Sequence, residues 1–300
     1  MSYCISHSKE DVQNLQPCFA DMVFNRRIEL WATENDTIHG AQECEHELIN
    51  RSDDLTHWMC CSKWQRKLSD KLNAKEFAIK VGVRAAELYW CGNHPATIPF
   101  DKLPNSYTVK LSNGSGSKQV IPIFNGKDLI RDKFLSENEI KNLLIEMLRY
   151  VDDDMNLILI EEYLGSHIDQ LPHDYKFFCF HGRVQVLYEY DRKLDTHCWY
   201  DKKWNPISDP MHTVRPQGII LPQPLNLPLL IETAEILAKA YIYPFVRIDL
   251  YSIKGVPYFG EFTHTPFGNE LDFYTSFANR SLGLLWKNPE INFLDISQSI

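Results

Sequence analysis

The sequence has no C-x-x-C pair, no G-x-x-x-x-G-K-[ST] phosphate loop, no internal repeat and no low-complexity tract. No apolar run approaches the roughly 18 residues that span a bilayer, so no membrane span is expected. Positive charge is also short: 31 Lys+Arg stand against 40 Asp+Glu, a formal net charge of −9. That balance argues against a nucleic-acid coat protein, because phosphate backbones require a basic surface. It leaves room for a local basic pocket around a small phosphorylated ligand. The eight cysteines (4, 18, 44, 60, 61, 91, 179 and 198) are scattered. Such usage is expected of reduced, mostly buried thiols in a cytoplasmic protein. The first residues, MSYCISHSKEDVQ, lack the basic-then-apolar order of a secretory leader.

What is present points to a folded protein. The 300 residues carry 16 Phe, 14 Tyr and 7 Trp, bulk that disordered chains lack. That length is enough for one large domain or two to three modest ones. Residues 1–67 give little periodicity, but Trp31, Trp58 and Trp64 promise a packed segment rather than a tail. Cys44-Glu45-His46-Glu47 with Cys60-Cys61 lacks the C-x₂₋₄-C spacing of structural zinc sites and reads as a helical face with buried cysteines.

From Ser69 the pattern sharpens. Ser69 or Asp70 can cap a helix through Leu72, Phe77 and Ile79, with Gly82 as its stop. Pro95, Pro99 and Pro104 break the chain into loop and short extended pieces. Tyr107–Leu111 and Gln119–Phe124 form a hairpin with the Gly/Ser tip 112–117. Ser136-Glu137-Asn138-Glu139 is a capping box opening a helix to about Tyr150. Leu157–Ile160 is a strand buried on both faces, ending in Glu161-Glu162-Tyr163-Leu164.

The second half is richer in strands. Tyr175–Phe180 and Arg183–Tyr190 form a hairpin, and His197–Asp201 adds a strand. A proline-rich connection at 205–226 leads to a helix from about Leu229 to Tyr241. Phe245–Tyr251 and Val256–Phe262 make the last hairpin.

Charged residues inside apolar strands carry the chemistry. Asp249 and Glu261 lie in the last hairpin, where ionised carboxylates are costly unless neutralised. Two readings stand open: a Mg²⁺ ion with bound phosphates, or an ion pair with Arg247 and no metal. On period 2, Arg247, Asp249 and Tyr251 share a face, with Glu261 expected in phase with Phe259 and Thr263 unless a bulge shifts the register. Lys176 shares a face with Phe178 and Phe180, which points to a pocket. Lys110 precedes the Gly/Ser tip, and both lysines are expected across the cleft from the two carboxylates.

This order of pieces resembles the ATP-grasp superfamily and, within it, the teichuronopeptide-biosynthesis (TupA-like) subgroup. The stretches that carry the resemblance run from Leu68-Ser69-Asp70-Lys71 to Tyr258-Phe259-Gly260-Glu261-Phe262-Thr263. Between them stand Tyr107–Lys110 with Gly114–Gly116, Glu161–Leu164, Asp174–Arg183 and Val246–Tyr251. The resemblance implies an ATP-grasp fold, two α+β subdomains clasping ATP, over 68–165 and 166–300, behind a short N-terminal segment at 1–67. It implies an ATP-dependent carboxylate–amine ligase that works through an acylphosphate. Its substrates would be small-molecule carboxylates and amines, such as a sugar acid of a surface polysaccharide precursor and an amino acid.

Carried over by the same resemblance, Lys71 and Lys110 would touch ATP phosphates or the adenine side of the cleft. The Gly114–Gly116 loop, with Ser115 and Gly116, would close over the phosphates, and Lys176 would contact phosphate. Glu161, Glu162, Tyr163 and Leu164 would hold adenine, and Asp169 the ribose. Arg247 and Lys176 would be catalytic, and Asp249, Glu261 and Thr263 would hold Mg²⁺. Thr263 departs from the Glu-x-Asn found in many of these ligases, which makes a second metal less secure. A hydroxyl-directed phosphotransferase and a nucleotide-binding module without turnover are the alternatives.

Overall fold

The computed structural model describes residues 17–31, 54–59, 63–114, 119–149, 156–165, 171–191, 196–208, 211, 213, 217–267 and 274–297. The Cys44–Glu47 cluster, Cys60-Cys61, Ser115, Gly116 and Asp169 lie outside them. Helices α1 (Phe19–Trp31), α2 (Lys71–Lys80), α3 (Glu137–Arg149), α4 (Leu227–Tyr241), α5 (Ser276–Lys287) and the short α6 (Phe293–Ser297) accompany two antiparallel sheets. The first sheet holds β1 (Leu88–Gly92), β2 (Tyr107–Leu111), β3 (Val120–Phe124), β4 (Lys127–Asp128), β5 (Lys133–Phe134) and β6 (Ile158–Glu162), in the order β1-β6-β2-β3-β4-β5. The second holds β7 (Asp174–Phe180), β8 (Arg183–Asp191), β9 (Thr196–Asp201), β10 (Phe245–Ile253) and β11 (Val256–Thr263), in the order β11-β10-β7-β8-β9. No helix among the described residues is long and apolar enough to cross a membrane.

The local signals act as expected. Asp70 caps α2, its Oδ1 accepting from the amides of Leu72 (2.8 Å) and Asn73 (3.1 Å). Ser136 and Glu139 form the reciprocal box at the start of α3. Pro228 sits in the first turn of α4, where its missing N–H costs nothing. Strands β1, β4 and β5 are additions to the sequence reading; in β1, Leu-Tyr-Trp-Cys-Gly has no clean alternation and is half-buried, and pairing with β6 is what makes it a strand.

The period-2 reading of the second sheet holds for β7 and β10. Tyr175, Phe177 and Cys179 join Val246, Ile248 and Leu250 in one core, against α4 and the buried side of α2. Phe178, Phe180 and Phe245 enter a second core on the opposite face, beneath α1 and α5. A third core lies where Ile140, Leu144 and Met147 of α3 pack under Ile158 and Ile160 of β6. Strand β11 departs from simple alternation. A bulge opposite Asp249 and Leu250, at Gly260, inserts one residue. Phe259 and Phe262 therefore both point into the first-named core, and Glu261 is not in phase with Phe259.

The packed character expected of the early chain is found in α1 and in the 3₁₀ turn Trp64–Ser69, while the Trp58 side chain lies outside the described residues. Trp64 is buried, and the Phe19 ring meets Phe245 and Tyr274 edge-on at 5.0 Å. Where α1 begins, Gly283 of α5 lets the helix approach: a Cβ there would lie 2.5 Å from the Pro17 carbonyl oxygen. Gly→Ala inside a helix normally gains about 1 kcal/mol. Here Gly283→Ala should instead destabilise by about 1–3 kcal/mol through overpacking. A urea melt that shifts to a higher midpoint with unchanged slope would show that this contact is not tight.

Candidate active site

The two sheets face each other across a cavity of about 340 Å³. From the first sheet, Thr108, Lys110, Glu161, Glu162, Tyr163 and Leu164 line it. From the second come Asp174, Lys176, Tyr188, Arg247, Asp249 and Glu261, and α2 adds Lys71. Thus Lys71, Lys110, Lys176, Arg247, Asp249, Glu261 and the Glu161–Leu164 stretch are brought together. Thr263 stands opposite Arg247 in the ladder and is not among the lining residues.

Strand register explains the grouping. Asp249 faces Lys176 on one side and Glu261 on the other, so these three lie side by side across β7, β10 and β11. Gly260 makes room for the bulge that turns Glu261 inward; a Cβ at Gly260 would approach the Asp249 carbonyl oxygen to 3.0 Å. Lys176 is therefore beside Asp249, not across the cleft from it, and forms an ion pair with it. Its ammonium also donates to Asp174 at 2.8 Å. Lys110, on the first sheet, is the lysine that faces the second sheet from across the cavity.

The carboxylates are engaged by cations. Arg247 donates from Nε to Asp249 Oδ1 at 2.7 Å and from Nη2 to Oδ2 at 2.8 Å, and reaches Glu261 Oε1 at 3.3 Å. The Arg247–carboxylate pair read from the sequence is thus present. Lys71 donates to the Gly114 carbonyl at the base of the Gly/Ser tip and stands 4.0 Å from Glu261. Burial alone would raise the Glu261 carboxyl, but Lys71, Lys176 and Arg247 outweigh it and hold it at about 2.

Lys75 was not singled out in the sequence. It is 5% exposed and shares the Glu161 carboxylate with Lys110. Its signal was available: Lys71 and Lys75 are four residues apart, on one face of α2. Burial would raise the Glu161 carboxyl, but Lys110 and Lys75 more than compensate and lower it. Desolvation lowers the Lys75 ammonium, and Glu161 counters part of that.

A family model described as TupA-like ATPgrasp matches residues 59–287. The chain belongs to the TupA-like ATP-grasp family. No curated protein shows significant similarity to it. Among solved structures, a D-alanine–D-alanine ligase from Bacillus anthracis is 18% identical, over 77% of this chain and 66% of its own, with TM-score 0.43. The VanG D-Ala:D-Ser ligase from Enterococcus faecalis is 14% identical, over 78% and 61%, with TM-score 0.47. The ATP-grasp ligase PsnB, solved with a minimal precursor, is 12% identical, over 68% and 55%, with TM-score 0.41. The chain thus spans roughly half to two-thirds of the length of these proteins.

Removing Glu161 would leave two ammonium groups facing each other. Glu161→Gln should destabilise by about 3–5 kcal/mol at pH 7, as for a broken buried pair. Because the folded-state pKa of Glu161 lies below its unfolded value near 4.3, its contribution is present above that pH and lost as pH falls through the folded value. The wild type should therefore lose stability below about pH 4.5 more steeply than Glu161→Gln does. Parallel acid limbs in urea melts of the two proteins would contradict this.

Proposed function

We propose that the chain is an ATP- and Mg²⁺-dependent ligase that joins a carboxylate to an amine through an acylphosphate. The observation that carries the reading is the convergence, in one cavity between two sheets, of Lys71, Lys110, Lys176 and Arg247 with the adjacent carboxylates Asp249 and Glu261. Membership of the ATP-grasp family supports it.

In this reading Lys110 and Lys71 hold ATP phosphates, with the Gly/Ser tip, Ser115 and Gly116 included, over them. Glu161 orients Lys110, while Glu162, Tyr163 and Leu164 form the adenine side. A ribose role for Asp169 remains part of the proposal. Asp249 and Glu261 would hold Mg²⁺: they are cross-strand neighbours that face one cavity, and their carboxylate oxygens are the hard donors this ion takes. Thr263 would contribute only through a water. When bound, Mg²⁺ would offset charge on the phosphate oxygens.

A substrate carboxylate oxygen attacks the γ-phosphorus and ADP leaves. The amine nitrogen then attacks the acyl carbon, phosphate leaves, and the amine gives up a proton. Lys176 and Arg247 stabilise negative charge at the transferring phosphoryl group, and Arg247 does so again at the tetrahedral intermediate. The implied substrates are a sugar acid of a surface polysaccharide or its precursor, and an amino acid.

Lys110→Ala should weaken nucleotide binding by about 1.5–3 kcal/mol, the value of a charge-assisted hydrogen bond, with the fold retained. Asp249→Asn and Glu261→Gln should abolish turnover in a folded protein. Calorimetry with ATP and Mg²⁺ checks the first. Mass spectrometry of products from sugar acids and amino acids checks the second. A phosphorylated alcohol in place of amide plus phosphate would indicate a phosphotransferase, and nucleotide binding with no product a binding module.

A further inference from the structure

Glu161 carries one more cation than its charge requires. Lys110 pairs with its Oε1 and Lys75 with its Oε2. Lys110 alone would neutralise the carboxylate, and Lys75 alone would tie α2 to β6. The second ammonium adds a buried positive charge that must be desolvated. It also repels the first. Burial lowers the Lys75 ammonium most, Glu161 opposes that, and Lys110 lowers it further.

The two lysines differ in what they can reach. Lys110 and Glu161 both line the cavity, whereas Lys75 is not among the lining residues. Lys75 is carried by α2, which Ala74, Phe77 and Ala78 fix in the core of the second sheet. Of the two ammonium groups, only that of Lys110 can therefore meet a ligand in the cavity. A phosphate there competes with Glu161 for it. Were Lys110 the sole partner, its transfer would strand a buried carboxylate, and that cost would offset what the phosphate contributes. With Lys75 in place, Glu161 keeps a cation before and after the transfer. No metal is assigned that task, since Mg²⁺ in the proposed reading belongs to Asp249 and Glu261.

We propose that Lys75 is a positioning residue for nucleotide binding: it holds Glu161 while Lys110 passes from that carboxylate to a nucleotide phosphate. The inference rests on the nucleotide part of the ligase reading, which puts phosphates at Lys110. Lys75 itself touches neither phosphate nor substrate. Its effect on affinity therefore depends on the presence of the Glu161 carboxylate.

The test uses the full chain. Calorimetric titrations with ADP and Mg²⁺ are run on the wild type, Lys75→Met, Glu161→Gln and the double variant, each first checked for folding by circular dichroism. Lys75→Met keeps a neutral Lys110–Glu161 pair and should stay folded. It should bind ADP about tenfold more weakly than the wild type, the order of one charge-assisted hydrogen bond. In the Glu161→Gln background the same substitution should change ADP affinity by less than about twofold, because Lys110 then leaves no carboxylate behind. A crystal structure of the wild type with ADP and Mg²⁺ should place the Lys110 ammonium on a phosphate and leave Lys75 on Glu161.

Unchanged ADP affinity in Lys75→Met would overturn the proposal. So would an equal loss in both backgrounds, which would mean that Lys75 acts by its own charge or by supporting the fold. A Lys110 that stays on Glu161 with ADP bound would overturn it as well. If a variant fails to fold, the ADP-bound structure of the wild type decides. If the wild type binds no ADP, the nucleotide reading fails and the proposal with it, whereas each of the other contrary results leaves that reading standing.

Discussion

The buried Glu161 carboxylate ties the two halves of the site together. It sits on β6 of the first sheet, next to Lys110 of β2 in that sheet, and it also receives Lys75 from α2. Helix α2, however, is packed by Ala74, Phe77 and Ala78 into the core of the second sheet. One face of α2 is thus fixed by apolar burial on one side of the cavity, and its Lys75 by charge, beside Lys110, on the other. Neither lysine would be tolerated at that depth without the carboxylate, and the carboxylate would be equally costly without them. The same helix begins with the Lys71 amide donating to the Ser112 carbonyl at 2.8 Å, at the end of β2. The base of the Gly/Ser tip and the floor of the second sheet are thereby held in one frame.

The second sheet solves a different problem. It buries apolar side chains on both faces and yet presents Lys176, Arg247, Asp249 and Glu261 to a cavity. It does so by dividing one face lengthwise: Phe178, Phe180 and Phe245 lie under α1 and α5, while the charged residues occupy the part left open. The bulge at Gly260 is the local device that sets Glu261 beside Asp249 while keeping Phe259 and Phe262 in the core. Each of these carboxylates answers a cation. In the proposed reading, a nucleotide would exchange these carboxylate partners for phosphate partners, and a divalent cation would take up the carboxylates so released.

Much of this was legible in the chain. Asp70 as a cap, the Ser136–Glu139 box, the strand alternation of β7 and β10 and the continuous apolar run of β6 are short-range patterns, governed by the geometry of a single helix turn or strand. Charged residues at fixed phases within apolar strands identified Lys110, Lys176, Arg247, Asp249 and Glu261, because burying charge is costly enough to need a reason. The order of these pieces also carried the family resemblance.

Tertiary structure decided the rest. Strand β1 has no pattern of its own and exists through its ladder with β6. A bulge depends on the partner strand, so the phase of Glu261 could not be fixed from β11 alone. Lys75 looked like any helix lysine until α2 was laid across the cavity against Glu161. Whether Lys176 stood opposite Asp249 or beside it was a matter of strand order, and β10 pairing with β7 put them side by side. The sequence by itself determined what each segment could be and which charges needed partners. Which partners they found depended on long-range register and packing, which no local pattern encodes.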